Sequence, residues 1–253
     1  WRGEIAAGLG CLPEEVVFTS CGTESDNWAI QAAAELGRRK GRHIITTAIE
    51  HAAVLEPCRA LEREGYEVTY LQPDRRGNIT AQQVKEALRP DTILVSMMLV
   101  NNELGTILPV AETAKILKEA GSGALLHCDA VQGFLKVPFT PKDLGVDMLS
   151  ISGHKIHAPK GIGAMYVRKG LKISPLIRGG GQENGLRSGT EATGQLAALA
   201  AAVTAGRATL ERDLAAMADL KQYAMDRLKS TVPQGKVLVE GGAPHILPIS
   251  LVG

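Results

Sequence analysis

The segment Ser152-Gly153-His154-Lys155 brings a hydroxyl, an imidazole and an amine together in one short stretch. Apolar runs at 146–151 and 164–168 predict two buried strands, so we expect Lys155 in the loop between them. An amine that leaves a buried strand is poorly solvated, and poor solvation makes it nucleophilic toward an aldehyde, as imine chemistry requires. A single loop lysine is more often inert, so this interpretation depends on the other segments.

A second candidate site follows the strand predicted at 16–19. Here Gly22 and Thr23 lie in a turn of small residues before a helix predicted at 27–36. Free N–H groups and a hydroxyl at a helix N-terminus form an anion pocket, and phosphate is its usual ligand. Capping of the helix without any ligand explains the same residues equally well. The turn therefore needs support from other cofactor-binding residues.

Polar side chains also follow three other predicted strands. His51 follows the first, and it is either a hydrogen-bonded bystander or a flat ring that stacks on a cofactor. Asn102 follows the second, at the strand end where open α/β sheets bind ligands, although asparagine also suits turns. Asp129 ends the third, with Gln132 three residues later. A carboxylate in apolar surroundings is costly unless a cation or a donor pairs with it.

The spacing of the elements predicts how these residues meet. Short apolar strands alternate with helical segments along 16–168, which predicts βα units around a largely parallel sheet. Residues 191–229 are rich in alanine and predict a helix with a break near Gly206. Two further strands, predicted at 236–240 and 248–252, would begin a second domain.

Composition restricts the class of protein. The chain has 253 residues, of which 45% are hydrophobic and 22% charged, which is ordinary for a globular protein. Its net charge of +1 argues against a nucleic acid or a membrane as a partner, and no apolar run could span a bilayer. The four cysteines form no CxxC pair, which favours a reduced, cytoplasmic setting. We predict a large domain at 1–205, then a linking helix and the start of a small domain at 206–253.

Six ordered segments carry a resemblance to a known family. They are Thr-Ser-Cys-Gly-Thr-Glu-Ser-Asp-Asn (19–27), Glu50-His51, Val100-Asn101-Asn102-Glu103, Asp129-Ala130-Val131-Gln132, Ser152-Gly153-His154-Lys155 and Arg187-Ser188-Gly189-Thr190. Together they resemble the cysteine desulfurases, class V aminotransferase relatives among the fold-type I pyridoxal phosphate enzymes. The resemblance implies a three-layer αβα large domain with a mainly parallel sheet, and the beginning of a small C-terminal α+β domain. It implies pyridoxal 5′-phosphate as the cofactor and no metal.

The same resemblance implies a role for each candidate residue. Lys155 would form the imine with the cofactor aldehyde, and His51 would stack on the ring and help to move protons. Asp129 would pair with the pyridinium nitrogen, and Gln132 would hydrogen-bond the phenolic oxygen. Asn102 would contact the cofactor or the substrate. The cofactor phosphate would be bound by Gly22, Thr23, Ser152 and His154. Thr190 would reach the phosphate of the other subunit, which implies a homodimer.

The implied reaction takes sulfur from L-cysteine, leaves L-alanine and passes the sulfur to an enzyme cysteine as a persulfide. An acceptor protein, such as an iron–sulfur scaffold or a tRNA-thiolation protein, would then receive it. None of the four cysteines matches the context of the family's sulfur-accepting cysteine, and the family's N-terminal segment and substrate-carboxylate arginine have no counterpart here. We therefore expect a fragment that holds most of the cofactor machinery without completing sulfur transfer. The alternatives are a selenocysteine lyase of the same fold, a transaminase and a non-catalytic cofactor-binding scaffold.

Overall fold

The computed structural model describes residues 1–232 and 234–251. The α-helices are α1 (Arg2–Leu9), α2 (Gly22–Gly37), α3 (Ala52–Arg63), α4 (Ala81–Ala87), α5 (Val110–Glu119), α6 (Pro141–Leu144) and α7 (Thr193–Thr231). The strands are β1 (Val16–Thr19), β2 (His43–Thr47), β3 (Glu67–Leu71), β4 (Thr92–Ser96), β5 (Leu125–Asp129), β6 (Met148–Ser152), β7 (Gly163–Val167), β8 (Gly235–Val237) and β9 (Ile249–Leu251). Within these described residues, no helix combines the length and the apolar character needed to cross a membrane.

One sheet of seven strands organises the molecule, in the order β1-β7-β6-β5-β4-β2-β3. The strands from β3 through β2, β4 and β5 to β6 pair parallel to one another. Only β7 reverses direction, because it pairs antiparallel with both β6 and β1. The predicted, mainly parallel sheet is thus confirmed, and the carboxyl ends of β2, β4, β5 and β6 lie along one edge, where such sheets bind ligands.

Helices cover both faces of this sheet. Neighbouring strand residues point to opposite faces, so Ile44 packs in the cluster built by α2 and α3, while Ile45 packs in the cluster built by α1, α4, α5, α6 and α7. Strands buried on both faces read as continuous apolar runs, which is why the sequence pattern predicted them well. The three-layer αβα architecture predicted above is therefore confirmed.

Helix α7 differs from the sequence-based expectation. It runs for 39 residues without interruption, so the predicted break at Gly206 is wrong. A Cβ atom at Gly206 would lie 2.9 Å from Leu135 Cδ1, so this glycine allows a close approach of the helix and does not end it. The predicted boundary between 205 and 206 falls inside this helix and stays a prediction.

The short strands after α7 pair antiparallel, β8 with β9, in a sheet of their own. Both are shorter than the strands predicted at 236–240 and 248–252. Val252, the last residue of the second prediction, lies outside the described residues.

Candidate active site

A cavity of about 320 Å³ opens at the carboxyl edge of the sheet, beside the N-terminus of α2. Nine of the ten predicted site residues line it, namely Gly22, Thr23, His51, Asn102, Asp129, Gln132, Ser152, His154 and Lys155. They come from the tip of α2 and from the segments that follow β2, β4, β5 and β6. The structure therefore brings together residues that are more than one hundred positions apart in the sequence.

Thr190 is the predicted site residue that lies elsewhere. It lines a separate depression with Glu183, Arg187 and Gln195, and it does not contribute to the wall of the cavity. Within a single chain the structure thus separates Thr190 from the other nine. Its predicted role at the site of a second subunit stays a prediction.

Lys155 lies in a single helical turn, Gly153–Ile156, that joins β6 to β7. The turn is compact, because a Cβ atom at Gly153 would lie 2.9 Å from Ile162 Cγ2 and 3.0 Å from Ile162 O. His157 then ends it in the left-handed conformation, with φ 69°. Both flanking strands are buried, so the half-buried Lys155 side chain starts from a rigid base at the cavity wall.

The tip of α2 forms one end of the cavity. Cys21 is the N-cap residue, and its side chain makes no capping hydrogen bond to the first turn. A Cβ atom at Gly22 would lie 2.6 Å from Val131 Cγ2, so glycine lets the bare helix end approach the segment after β5. The first N–H groups of a helix carry partial positive charge and are available here to an anion.

A hydroxyl and an imidazole adjoin this helix tip. Ser152 Oγ and His154 Nδ1 lie 2.9 Å apart. Burial and the positive charges of Lys155 and Lys160 lower the pKa of His154, which favours its neutral form. A neutral ring whose Nδ1 bonds Ser152 can still donate from Nε2 when the proton is on that atom. Together with the helix N-terminus, these groups make an anion-binding corner.

Asp129 forms the acidic part of the cavity, at the end of β5. The Val131 N–H donates to Asp129 Oδ1 at 2.9 Å. Burial raises the pKa of Asp129, while the Val131 hydrogen bond and the charges of His51 and Lys155 oppose this effect. Burial is the largest of these effects, so the pKa of Asp129 stays above its ordinary value.

Two further buried acids adjoin Asp129, and the sequence interpretation missed both. Asp26 lines the cavity from α2. Glu50 accepts hydrogen bonds from Thr47 Oγ1 and from the Met98 N–H, each at 2.8 Å, and burial raises the pKa of Glu50 to about 8. Both acids belong to segments that carried the resemblance, but no local signal in the sequence separated them from surface acids.

The neighbouring asparagines after β4 have different environments. Asn101 is buried and accepts the N–H groups of Glu103 and Leu104 at 3.0 and 2.8 Å, while its own amide donates to Ile49 O at 2.9 Å. Asn101 therefore builds the turn, as asparagine often does. The turn directs Asn102 to the cavity wall. The turn interpretation thus applies to Asn101, while a ligand contact of Asn102 stays a prediction.

The cavity offers an amine, an acid and an anion-binding helix end around one space. Among the described residues, no group of three or more histidine, cysteine, aspartate or glutamate side chains could hold a metal ion. The arrangement suits an organic ligand that carries an aldehyde, a basic ring atom and an anionic group, because each would meet a matching partner.

Comparisons with known proteins place this geometry in context. The profile of the aminotransferase class-V family matches residues 1–249. The cysteine desulfurase IscS of Dictyoglomus turgidum is 44% identical over 247 residues, which cover 98% of this chain and 62% of that protein. The chain thus spans about three fifths of the length of the curated relatives it matches.

Two solved structures extend the likeness to three dimensions. A NifS-like protein is similar with a TM-score of 0.94 and 40% identity, over 99% of this chain and 68% of that one. SspA in complex with cysteine is similar with a TM-score of 0.76 and 47% identity, over 80% of this chain and 58% of that one. These likenesses confirm the predicted fold class.

Proposed function

Because the chain belongs to the aminotransferase class-V family, we propose that it forms the cofactor site of a pyridoxal 5′-phosphate-dependent cysteine desulfurase. In this proposal L-cysteine is the substrate, L-alanine is a product, and an enzyme cysteine receives the sulfur as a persulfide. A cytoplasmic acceptor, an iron–sulfur scaffold or a tRNA-thiolation protein, takes the sulfur onward. The observation that carries the proposal is the single cavity lined by Lys155, Asp129 and the bare tip of α2.

The donors and acceptors of the cavity fit this cofactor. The anion-binding corner at Gly22, Thr23, Ser152 and His154 suits its phosphate, and glycine at position 22 keeps that corner open. Asp129 suits its ring nitrogen, since a carboxylate at that place favours the protonated nitrogen. These groups lie around one space large enough for a small ligand.

Each remaining residue then has a chemical task. Pyridoxal phosphate, when bound, supplies an aldehyde that joins an amine and a ring that accepts electrons. Lys155 provides that amine, and Asp129 holds the proton on the ring nitrogen. Gln132 donates to the ring oxygen, and Asn102 contacts the cofactor or the substrate. These roles depend on side chains held by strand ends, whose positions are fixed by the sheet.

A backbone hydrogen bond fixes the tautomer of the neutral His51 ring. Its Nδ1 accepts the Ala53 N–H at 3.1 Å as the N-cap of α3, so the neutral ring carries its proton on Nε2. Nε2 is therefore the atom that can hold or move a proton, while the cap fixes the orientation of the ring. This geometry supports the proposed stacking of His51 on the cofactor.

Three cysteines of the chain are poor sulfur acceptors. Burial raises the pKa of Cys11 and of Cys58 to about 12, with smaller contributions from nearby acids. Burial and the charge of Asp129 also raise the pKa of Cys128 well above its ordinary value. Since the thiolate is the nucleophile, these residues stay unreactive near neutral pH. The proposal therefore assigns none of them to persulfide formation.

Thr190 supports a homodimer in this proposal. It lies outside the cavity of its own chain, in a depression that also contains Arg187 and Glu183. We assign Thr190 to the phosphate corner of a second subunit, which makes each site composite. A Thr190→Ala variant of such a dimer should bind pyridoxal phosphate more weakly and still form the dimer, as measured by absorbance and light scattering.

The decisive experiment is covalent trapping. The protein mixed with pyridoxal phosphate should gain visible absorbance, and borohydride followed by peptide mapping should place the label on Lys155. Lys155→Ala should remove the label, while Lys160→Ala, which alters an exposed lysine five residues away, should keep it. A protein that stays colourless, or one labelled at another lysine, would contradict the proposal. In a protein that also carries a sulfur-accepting cysteine, formation of alanine and sulfide from L-cysteine then tests the reaction, and formation of a keto acid would contradict it.

A further inference from the structure

Asp26 places a second acid at the floor of the cavity. It lies on α2, about one turn after Gly22, and it is only 1% exposed. Its Oδ1 atom has no hydrogen-bond partner among the residues that the structure describes. A buried carboxylate without a donor or a cation is costly, so this oxygen requires an explanation.

His127 lies near this oxygen but does not neutralise it. Its Nε2 is 3.5 Å from Asp26 Oδ1. Two hydroxyls already engage the ring, Ser96 Oγ at 2.9 Å from Nδ1 and Ser150 Oγ at 3.0 Å from Nε2. Complete burial lowers the pKa of His127 to about 3, so the imidazole is neutral near pH 7. It therefore brings no positive charge to Asp26.

Asp129 has the stabilising partners that Asp26 lacks. It receives the Val131 N–H at 2.9 Å. The positive charges of His51 and Lys155 also lower the pKa of Asp129 against the effect of burial. Of the two acids, Asp129 is thus the one with more groups that oppose the effect of burial.

The surroundings of Asp26 act in the opposite direction. Burial raises the pKa of Asp26 well above its ordinary value, and the charges of Asp129, Glu50 and Cys21 add to this effect. The Ser150 hydroxyl opposes it, and Ser150 is also the strand partner of Asp129, so both acids lie beside Ser150. Two neighbouring buried acids do not both ionise, so a shared proton belongs on the acid with fewer donors.

We propose that Asp26 is a positioning residue that stays an uncharged carboxylic acid and so leaves a single negative charge at the cavity floor, on Asp129. Glu50, the third buried acid, is also mainly protonated near pH 7, because burial raises its pKa to about 8. The floor of the cavity then carries one charge, directed at the ligand. The inference rests on the proposed function only for the identity of that ligand, whose ring nitrogen Asp129 would hold.

Infrared spectroscopy tests the protonation directly in the full chain without cofactor. With aspartate 13C-labelled at its side-chain carboxyl, a protonated carboxyl band that shifts with the label at pH 7 reports a neutral aspartic acid. Asp26→Asn should remove this band. Glu50→Gln should keep it and should remove only a carboxyl band whose frequency the aspartate label does not change. Absence of the labelled band from the wild type, or its persistence in Asp26→Asn, would overturn the proposal. The wild-type spectrum decides even where a variant fails to fold.

Affinity for pyridoxal phosphate tests the positioning role. Asp26→Leu and Asp26→Asn replace the acid with side chains of similar size, but only asparagine keeps a hydrogen-bond donor. Loss of the hydrogen bond with Ser150, the strand partner of Asp129, is expected to weaken binding about tenfold in Asp26→Leu, and Asp26→Asn should restore most of it. Equal affinities of the two variants would mean that Asp26 contributes to binding only through packing, which would overturn the proposal. If the wild type bound no pyridoxal phosphate, the proposed function would fail, while the infrared result would still decide where the proton lies.

Discussion

Replacing Glu50 with glutamine should change the pH dependence of stability. Glu50 is 5% exposed, and burial raises its pKa from 4.5 to about 8 in the folded chain. Between these two pH values the unfolded chain has lost the proton and the folded chain keeps it. Because the folded state then binds more protons, the free energy of unfolding of the wild type falls as pH rises through this window.

The magnitude follows from the same pKa values. Each pH unit within the window costs about 1.4 kcal/mol, so this single group lowers the free energy of unfolding by about 3 kcal/mol between pH 4.5 and pH 7. Glutamine cannot ionise, and its oxygen can still accept from Thr47 Oγ1 and the Met98 N–H. The free energy of unfolding of Glu50→Gln, relative to that of the wild type, should therefore rise by about 3 kcal/mol between pH 4.5 and pH 7.

Urea denaturation followed by circular dichroism, repeated from pH 4.5 to pH 9, measures this difference. The variant Glu119→Gln removes the same charge from an exposed site near the end of α5 and controls for the change in net charge. Wild-type and Glu50→Gln curves that run parallel across the window would refute the reasoning. So would a difference that grows above pH 8, where both states of the wild type have lost the proton.

Two further substitutions test local features. Gly22→Ala puts a Cβ atom 2.6 Å from Val131 Cγ2 and should weaken pyridoxal phosphate binding about tenfold in an absorbance titration, through hydrogen bonds lost at the helix tip. Gly194→Ala, in the first turn of α7 where no atom lies within 4 Å of the new Cβ, is the matched control, and equal losses would contradict this reasoning. Thr80→Ala removes the cap that receives the Gln83 N–H and should cost about 1 kcal/mol in urea denaturation, while Thr80→Ser should keep most of it. If Thr80→Ser lost as much stability as Thr80→Ala, the capping hydrogen bond would be excluded as the cause of the loss.

The elements that the sequence predicted best are those whose pattern depends on local rules. Strand β1 has the predicted bounds, because a run of β-branched residues between turns leaves few other options. Thr80 is a residue type that favours the N-cap, and it exchanges hydrogen bonds with Gln83 at the start of α4. Nine site residues meet in one cavity because they follow strand ends, which a parallel sheet aligns at one edge.

The errors and omissions come from contacts between distant segments. Gly206 was interpreted as a break because glycine weakens helices. Its role depends instead on Leu135, whose side chain lies close to the place that a Cβ atom at position 206 would occupy. Asp26 and Glu50 could not be distinguished from surface acids, since their burial arises only when α2 and the turn after β2 pack behind Asp129. The chemistry of the cavity was thus visible in local motifs, whereas the electrostatic state of its floor depends on the assembled fold.

The length of α7 has a mechanical consequence. At 1.5 Å per residue, its 39 residues make a rod about 58 Å long. The first turns of α7 pack in the core through Leu196, Leu199 and Val203, and the opposite end of the helix reaches the β8–β9 pair. Because the helix is continuous, it joins the β8–β9 pair rigidly to the part of the core that packs around its first turns.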